Sequence, residues 1–96
     1  MSAYFIIQVD VLDAAAFEPY RQDGPAIIAS HGGEYVVRGG DYQVLEGEPP
    51  LPRQVVIRFP DRAAALRWYE SPEYRGLRAL RQRSAKTNMI LVDGVA

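Results

Sequence analysis

At 96 residues the chain has the length of one domain, since domains run to roughly 100–200 residues, and residues 1–96 are expected to fold as a single unit. A composition of 48% hydrophobic and 24% charged residues is too apolar for a disordered segment, and a formal net charge of −1 supplies no global field to attract nucleic acid or an anionic membrane. Cysteine is absent, which excludes a disulfide scaffold, thiolate catalysis and cysteine-ligated metal, and fits a reducing compartment.

The first predicted strand is Tyr4–Val9, short and rich in β-formers. Asp13 is an N-cap candidate for a helical stretch from about Asp13 to Ser30, which Pro19 and Pro25 are expected to kink or split into two short helices. His31-Gly32-Gly33 reads as its stop. Glu34–Arg38 is a second strand, with Tyr35 and Val37 on one side and Val36 and Arg38 on the other. After Gly39-Gly40, Asp41–Glu46 is expected to be a strand again, followed by a loop carrying Pro49, Pro50 and Pro52. Gln54–Phe59 is the strongest strand of the chain. Asp61 caps a helix over Arg62–Tyr69, and Ser71-Pro72 starts another that runs to about Arg83. Thr87–Val92 closes the series.

The order reduces to β-α-β-β-α-β, and it carries an internal echo. Asp13-Ala14-Ala15-Ala16-Phe17 follows the first strand as Asp61-Arg62-Ala63-Ala64-Ala65-Leu66 follows the strongest one. Two interlocked β-α-β units on one antiparallel sheet, helices on one face, is the predicted α+β ferredoxin-like fold. The other face would then carry Tyr4, Ile6, Val36, Val56 and Ile90, studded with Gln8, Arg38, Arg58 and Asn88. A solvated face should be mainly polar, so this one is expected to pair with a second copy around a partly polar cavity.

No catalytic motif stands out, and no metal-ligand spacing occurs. His31, the lone histidine, is a candidate general base or haem ligand, against the plainer reading of a solvated residue at a helix end. Arg75, Arg78 and Arg81 recur every third residue and read as a solvated stripe near a helix C-terminus rather than an anion site. Trp68, Tyr69 and Tyr74 are core or interface anchors, with Tyr74 the one whose hydroxyl is expected to reach a pocket. Arg38 and Arg58, on a semi-apolar face, need a carboxylate partner such as Glu34 or Glu46, or else an anionic ligand. Met1-Ser2-Ala3-Tyr4 has no basic region and no apolar run nears the roughly 20 residues of a membrane span, so the cytoplasm is the expected address.

The stretch Ala29-Ser30-His31-Gly32-Gly33-Glu34-Tyr35-Val36-Val37-Arg38-Gly39-Gly40, with Leu45-Glu46-Gly47, Val55-Val56-Ile57-Arg58-Phe59-Pro60, Trp68-Tyr69-Glu70-Ser71-Pro72-Glu73-Tyr74 and Val92-Asp93-Gly94, resembles the domain-of-unknown-function family DUF1330 of the dimeric α+β barrel superfamily. The resemblance spans nearly the whole chain. It implies a ferredoxin-like monomer whose sheet packs against a second copy, and no established activity. Distant relatives in that superfamily include cofactor-free monooxygenases, haem-degrading enzymes and isomerases. The family pattern usually has an acid where this chain has Arg58, which puts any role of that acid in doubt here.

Three functions are therefore in play. The first is a dimer that binds a small anionic or aromatic metabolite, with no cofactor, and that acts as an enzyme or as a plain binder. Arg38 would hold the anion, Gln8 and Arg58 would orient it, Trp68 would line the pocket, and Tyr74 or His31 would move a proton. The second is a structural or regulatory dimerisation module, in which both Arg38 and Arg58 are ion-paired. The third is haem binding through His31.

Overall fold

The computed structural model describes all of Met1–Ala96. Its elements run β1 (Ala3–Val11), α1 (Ala14–Ser30), β2 (Glu34–Arg38), β3 (Arg53–Phe59), α2 (Arg62–Tyr69), α3 (Pro72–Ser84) and β4 (Ala85–Asp93). The four strands form one antiparallel sheet in the order β2-β3-β1-β4, the ferredoxin-like arrangement, with a helix pair in the second crossover. No helix is long and apolar enough to cross a membrane.

Strand alternation decides which face the helices cover. Ala3, Phe5, Ile7 and Val9 of β1, with Ile57 and Phe59 of β3, are buried against Phe17 and Ile28 of α1, Ala64, Ala65 and Trp68 of α2, and Tyr74 of α3. Each large side chain so buried contributes about 1.5–3 kcal/mol. The other face stays open: Ile6, Val36, Ile90 and Val92 are 37%, 56%, 61% and 43% exposed.

Local chemistry explains the helix ends. The Asp13 and Asp61 carboxylates accept from the N–H groups of Ala16 (3.1 Å) and Ala64 (2.7 Å), and Ser71 Oγ accepts from the Tyr74 N–H at 3.2 Å. The end of α1 is a Schellman motif. Gly32 N–H donates to Ala29 O, Gly33 N–H donates to Ile28 O, and Gly32 takes φ +83°. At Gly33 a Cβ would lie 2.7 Å from both Ile28 and Phe59, so the turn is pressed onto the core.

Of the two forms expected for this stretch, one helix or two short ones, α1 takes the first and runs through Pro19 and Pro25; burial of Phe17, Gly24 and Ile28 on either side of the prolines offsets the two missing hydrogen bonds. One expectation is corrected: Asp41–Glu46 is not a strand. Gly39, at φ +68°, donates its N–H to Gln54 O and ends the β2–β3 ladder. The return half of this loop carries Pro49, Pro50 and Pro52, which have no N–H to give a partner strand.

Candidate functional site

A cavity of about 40 Å³ opens between the sheet and the helices, room for about three waters. Its apolar wall is Ile7, Val9, Phe17, Ile28, Val55 and Ile57; its polar lining is Tyr20, Tyr35, Arg21, Arg38, Arg53 and Arg81. Four arginines and no acid line it. The lining has no carboxylate, imidazole, hydroxymethyl or thiol, so it offers hydrogen-bond donors and positive charge but no general base or nucleophile of the usual kinds.

Arg81 is the unusual member. In α3 the buried positions are Tyr74, Arg81 and Ser84, with Leu77 packed against the core, a spacing of three and four that forms one inward face. Arg81 is 5% exposed, makes no ion pair, and its Nε has no hydrogen-bond partner. Burial opposes its charge while the neighbouring Tyr74 and Tyr20 hydroxyls favour it, and no carboxylate lies within ion-pair distance. Beside it, the Tyr20 and Tyr74 hydroxyls are 2.5 Å apart and their rings meet edge to face at 6.0 Å. Burial, and then the neighbouring Tyr74, push the Tyr20 phenol well above its usual range. Tyr20 is therefore neutral at physiological pH and acts as a hydrogen-bond partner, not as a base.

Arg38 reaches the cavity because β2 is irregular. Glu34 pairs with Arg58 and Tyr35 with Ile57, but Val37 pairs with Val56 and Arg38 with Val55, a shift between Tyr35 and Val37. The extra residue turns Arg38 to the helix side, where its guanidinium lies 4.7 Å from the centre of the Tyr35 ring. This corrects the expected placement of Arg38 on the open face. Arg53 lies across Gly39, where a Cβ would sit 3.1 Å from its Cζ, and it too has no ion pair. Arg21 is held by Glu18 at 3.3 Å.

The remaining predicted residues fall elsewhere. Arg58 is on the open face, ion-paired to Glu34 at 2.5 Å, with its Nε donating to Ser2 Oγ at 3.2 Å. Gln8, on the same face, accepts from the Leu51 N–H at 3.2 Å and anchors the end of the proline loop. Trp68 is fully buried in an aromatic cluster, stacked on Phe59 at 5.6 Å and 4.3 Å from Tyr74. Tyr74 backs the cavity through Tyr20 rather than lining it. His31 caps α1, its Nδ1 3.0 Å from Ile27 O and its Nε2 3.9 Å from Glu73, and it does not line the cavity. No cluster of three or more His, Asp or Glu residues is placed to hold a metal ion. Arg81 was misplaced in the expected solvated stripe, although the Tyr74–Leu77–Arg81–Ser84 spacing marks its face; Arg53 and Arg21 carry no comparable signal.

Residues 2–95 match the family model described as a domain of unknown function, DUF1330. The chain belongs to the DUF1330 family. No curated protein matches this DUF1330 chain. Among solved structures it is similar to the RPA0582 protein of unknown function from Rhodopseudomonas palustris, at 20% identity and a TM-score of 0.79, over 99% of this chain and 83% of that one. It is also similar to SnoaB, a cofactor-independent oxygenase from Streptomyces nogalater, at 17% identity and a TM-score of 0.66, over 99% and 94% of the two chains. An antibiotic biosynthesis monooxygenase aligns over 100% of both chains at 16% identity and a TM-score of 0.57. At these identities the likeness is one of fold.

Proposed function

We propose that this DUF1330 protein is a homodimer that binds a small anionic metabolite in the arginine-lined cavity of each protomer, using no cofactor to hold it. The observation that carries the reading is Arg81, buried without a counter-ion in a cavity where Arg38 and Arg53 also lack acidic partners. An anion entering there gains charge-assisted, bidentate hydrogen bonds and removes the cost of the unpaired cation. The enclosed part has room for a few heavy atoms, and the cavity opens to solvent where the exposed Arg38 and Arg21 side chains line it, so a longer ligand extends outward there. The open sheet face, with Ile6, Val36, Ile90 and Val92 exposed, supports assembly of two copies face to face.

A purely structural module requires both strand arginines to be ion-paired. Arg58 is; Arg38 instead stacks on Tyr35, which favours the ligand-binding reading. The likeness to SnoaB adds that a chain of this shape serves cofactor-free chemistry in another protein. In this cavity such a reaction would suit a substrate bound as its anion, because the lining supplies four cations and two phenol hydroxyls and no carboxylate or imidazole base.

The test starts with native mass spectrometry of freshly purified protein, then a denatured spectrum of the same sample. A dimer mass carrying a small adduct that Arg38→Ala removes is the expected result; a monomer overturns the assembly. Acetate, butyrate and benzoate are then titrated calorimetrically into ligand-free protein. At least one is expected to bind, with a ten-fold or greater loss in Arg81→Gln. Binding that is indifferent to Arg81 overturns the site.

A further inference from the structure

The arginines of the cavity come from different elements and differ in exposure. Arg81 comes from the last turn of α3 and sits deep, beside the Tyr20–Tyr74 hydroxyl pair. Arg38 and Arg53 come from β2 and β3, at the end of the sheet where the ladder stops at Gly39. Arg38 lies over the Tyr35 ring and Arg53 lies across Gly39, which brings two guanidinium groups to the rim with no carboxylate on either. Val9, Val55 and Ile57 give the same cavity an aliphatic wall.

We infer that the cavity is built for a two-headed anion, a short dicarboxylate or its equivalent, with one head on Arg81 and the other on the Arg38–Arg53 pair. A single carboxylate satisfies only one pole. At the deep pole it relieves the buried cation but leaves Arg38 and Arg53 without a counter-ion; at the rim it leaves Arg81 unpaired. A ligand with an anionic group at each end and a short apolar middle answers both poles and the wall between them. Arginine suits each end because its planar fork meets a carboxylate through two parallel N–H donors. This inference rests on the anion-binding reading above.

The experiment compares butyrate with succinate, glutarate and adipate by calorimetry on the full-length dimer, at fixed ionic strength. The best dicarboxylate is expected to bind at least ten-fold tighter than butyrate, with an optimum at one chain length. Arg38→Gln, a change at an exposed side chain, is expected to weaken that ligand more than butyrate and to bring the two within three-fold of each other. Butyrate binding as tightly as every dicarboxylate overturns the two-headed ligand and leaves the anion site standing. A dicarboxylate preference that survives Arg38→Gln overturns the rim assignment. Failure of all four, with acetate and benzoate also failing to bind, overturns the anion-binding reading itself.

Discussion

Tyr20 shows how one residue's surroundings set its chemistry. It lies where α1 meets α3, with Phe17 5.1 Å away and the Tyr74 hydroxyl 2.5 Å away. Burial first, and Tyr74 second, raise its pKa. Below the ordinary phenol value of about 10 both folded and unfolded chains keep this proton, so it contributes no pH dependence there. Above that value the unfolded chain releases the proton while the folded one retains it, so stability falls as pH rises. Urea midpoints are therefore expected to hold steady from pH 6 to 9 and decline beyond about pH 10, with a shallower decline in Tyr20→Phe. An equally steep decline in that variant would assign the effect to another group. Arg58 is the contrasting case: its charge is met by Glu34 on an exposed surface, where an ion pair contributes little, so replacing it should leave the cavity's ligand affinity unchanged.

Among the elements, helix ends were legible and strand faces less so. Asp13, Asp61 and Ser71 cap the helices assigned to them because an N-cap needs only a side-chain acceptor and the N–H three residues on. Asp61→Ala is expected to cost about 1 kcal/mol, read from the denaturation midpoint, with Asp61→Asn recovering most of it. The β2 irregularity was not legible. Regular alternation puts Arg38 with Val36, yet the shift at Val37 gives Arg38 the face of Tyr35. A bulge depends on the register of the neighbouring strand, which the residues of β2 do not encode by themselves. The loop after Gly39 departs from expectation for a related reason: Tyr42 and Val44 alternate like strand residues, but the return half of the same loop carries Pro49, Pro50 and Pro52, which have no N–H to donate.

For the whole molecule, the unbalanced feature is the sheet. One face is closed by three helices; the other exposes Ile6 beside Ile90, its β4 partner in register. A domain of this size buries only about 60–65% of its unfolded surface, so covering this face adds a large fraction of the available stability. Ile90→Arg is expected to convert the proposed dimer to monomer in sedimentation velocity with an unchanged far-ultraviolet circular dichroism spectrum. A dimer that tolerates the substitution would place the interface elsewhere.

The fold class, the caps and the apolar character of the open face are properties of local spacing, and the residues alone determine them. The site is different. Arg81 enters the cavity because α3 turns its Tyr74 face inward, Arg38 because a bulge rotates it, and Arg53 because Gly39 leaves room beneath it. Each depends on a neighbour distant in sequence. A charge becomes unusual only when its surroundings remove water and supply no counter-ion, and those surroundings exist only once the helices have closed over the sheet.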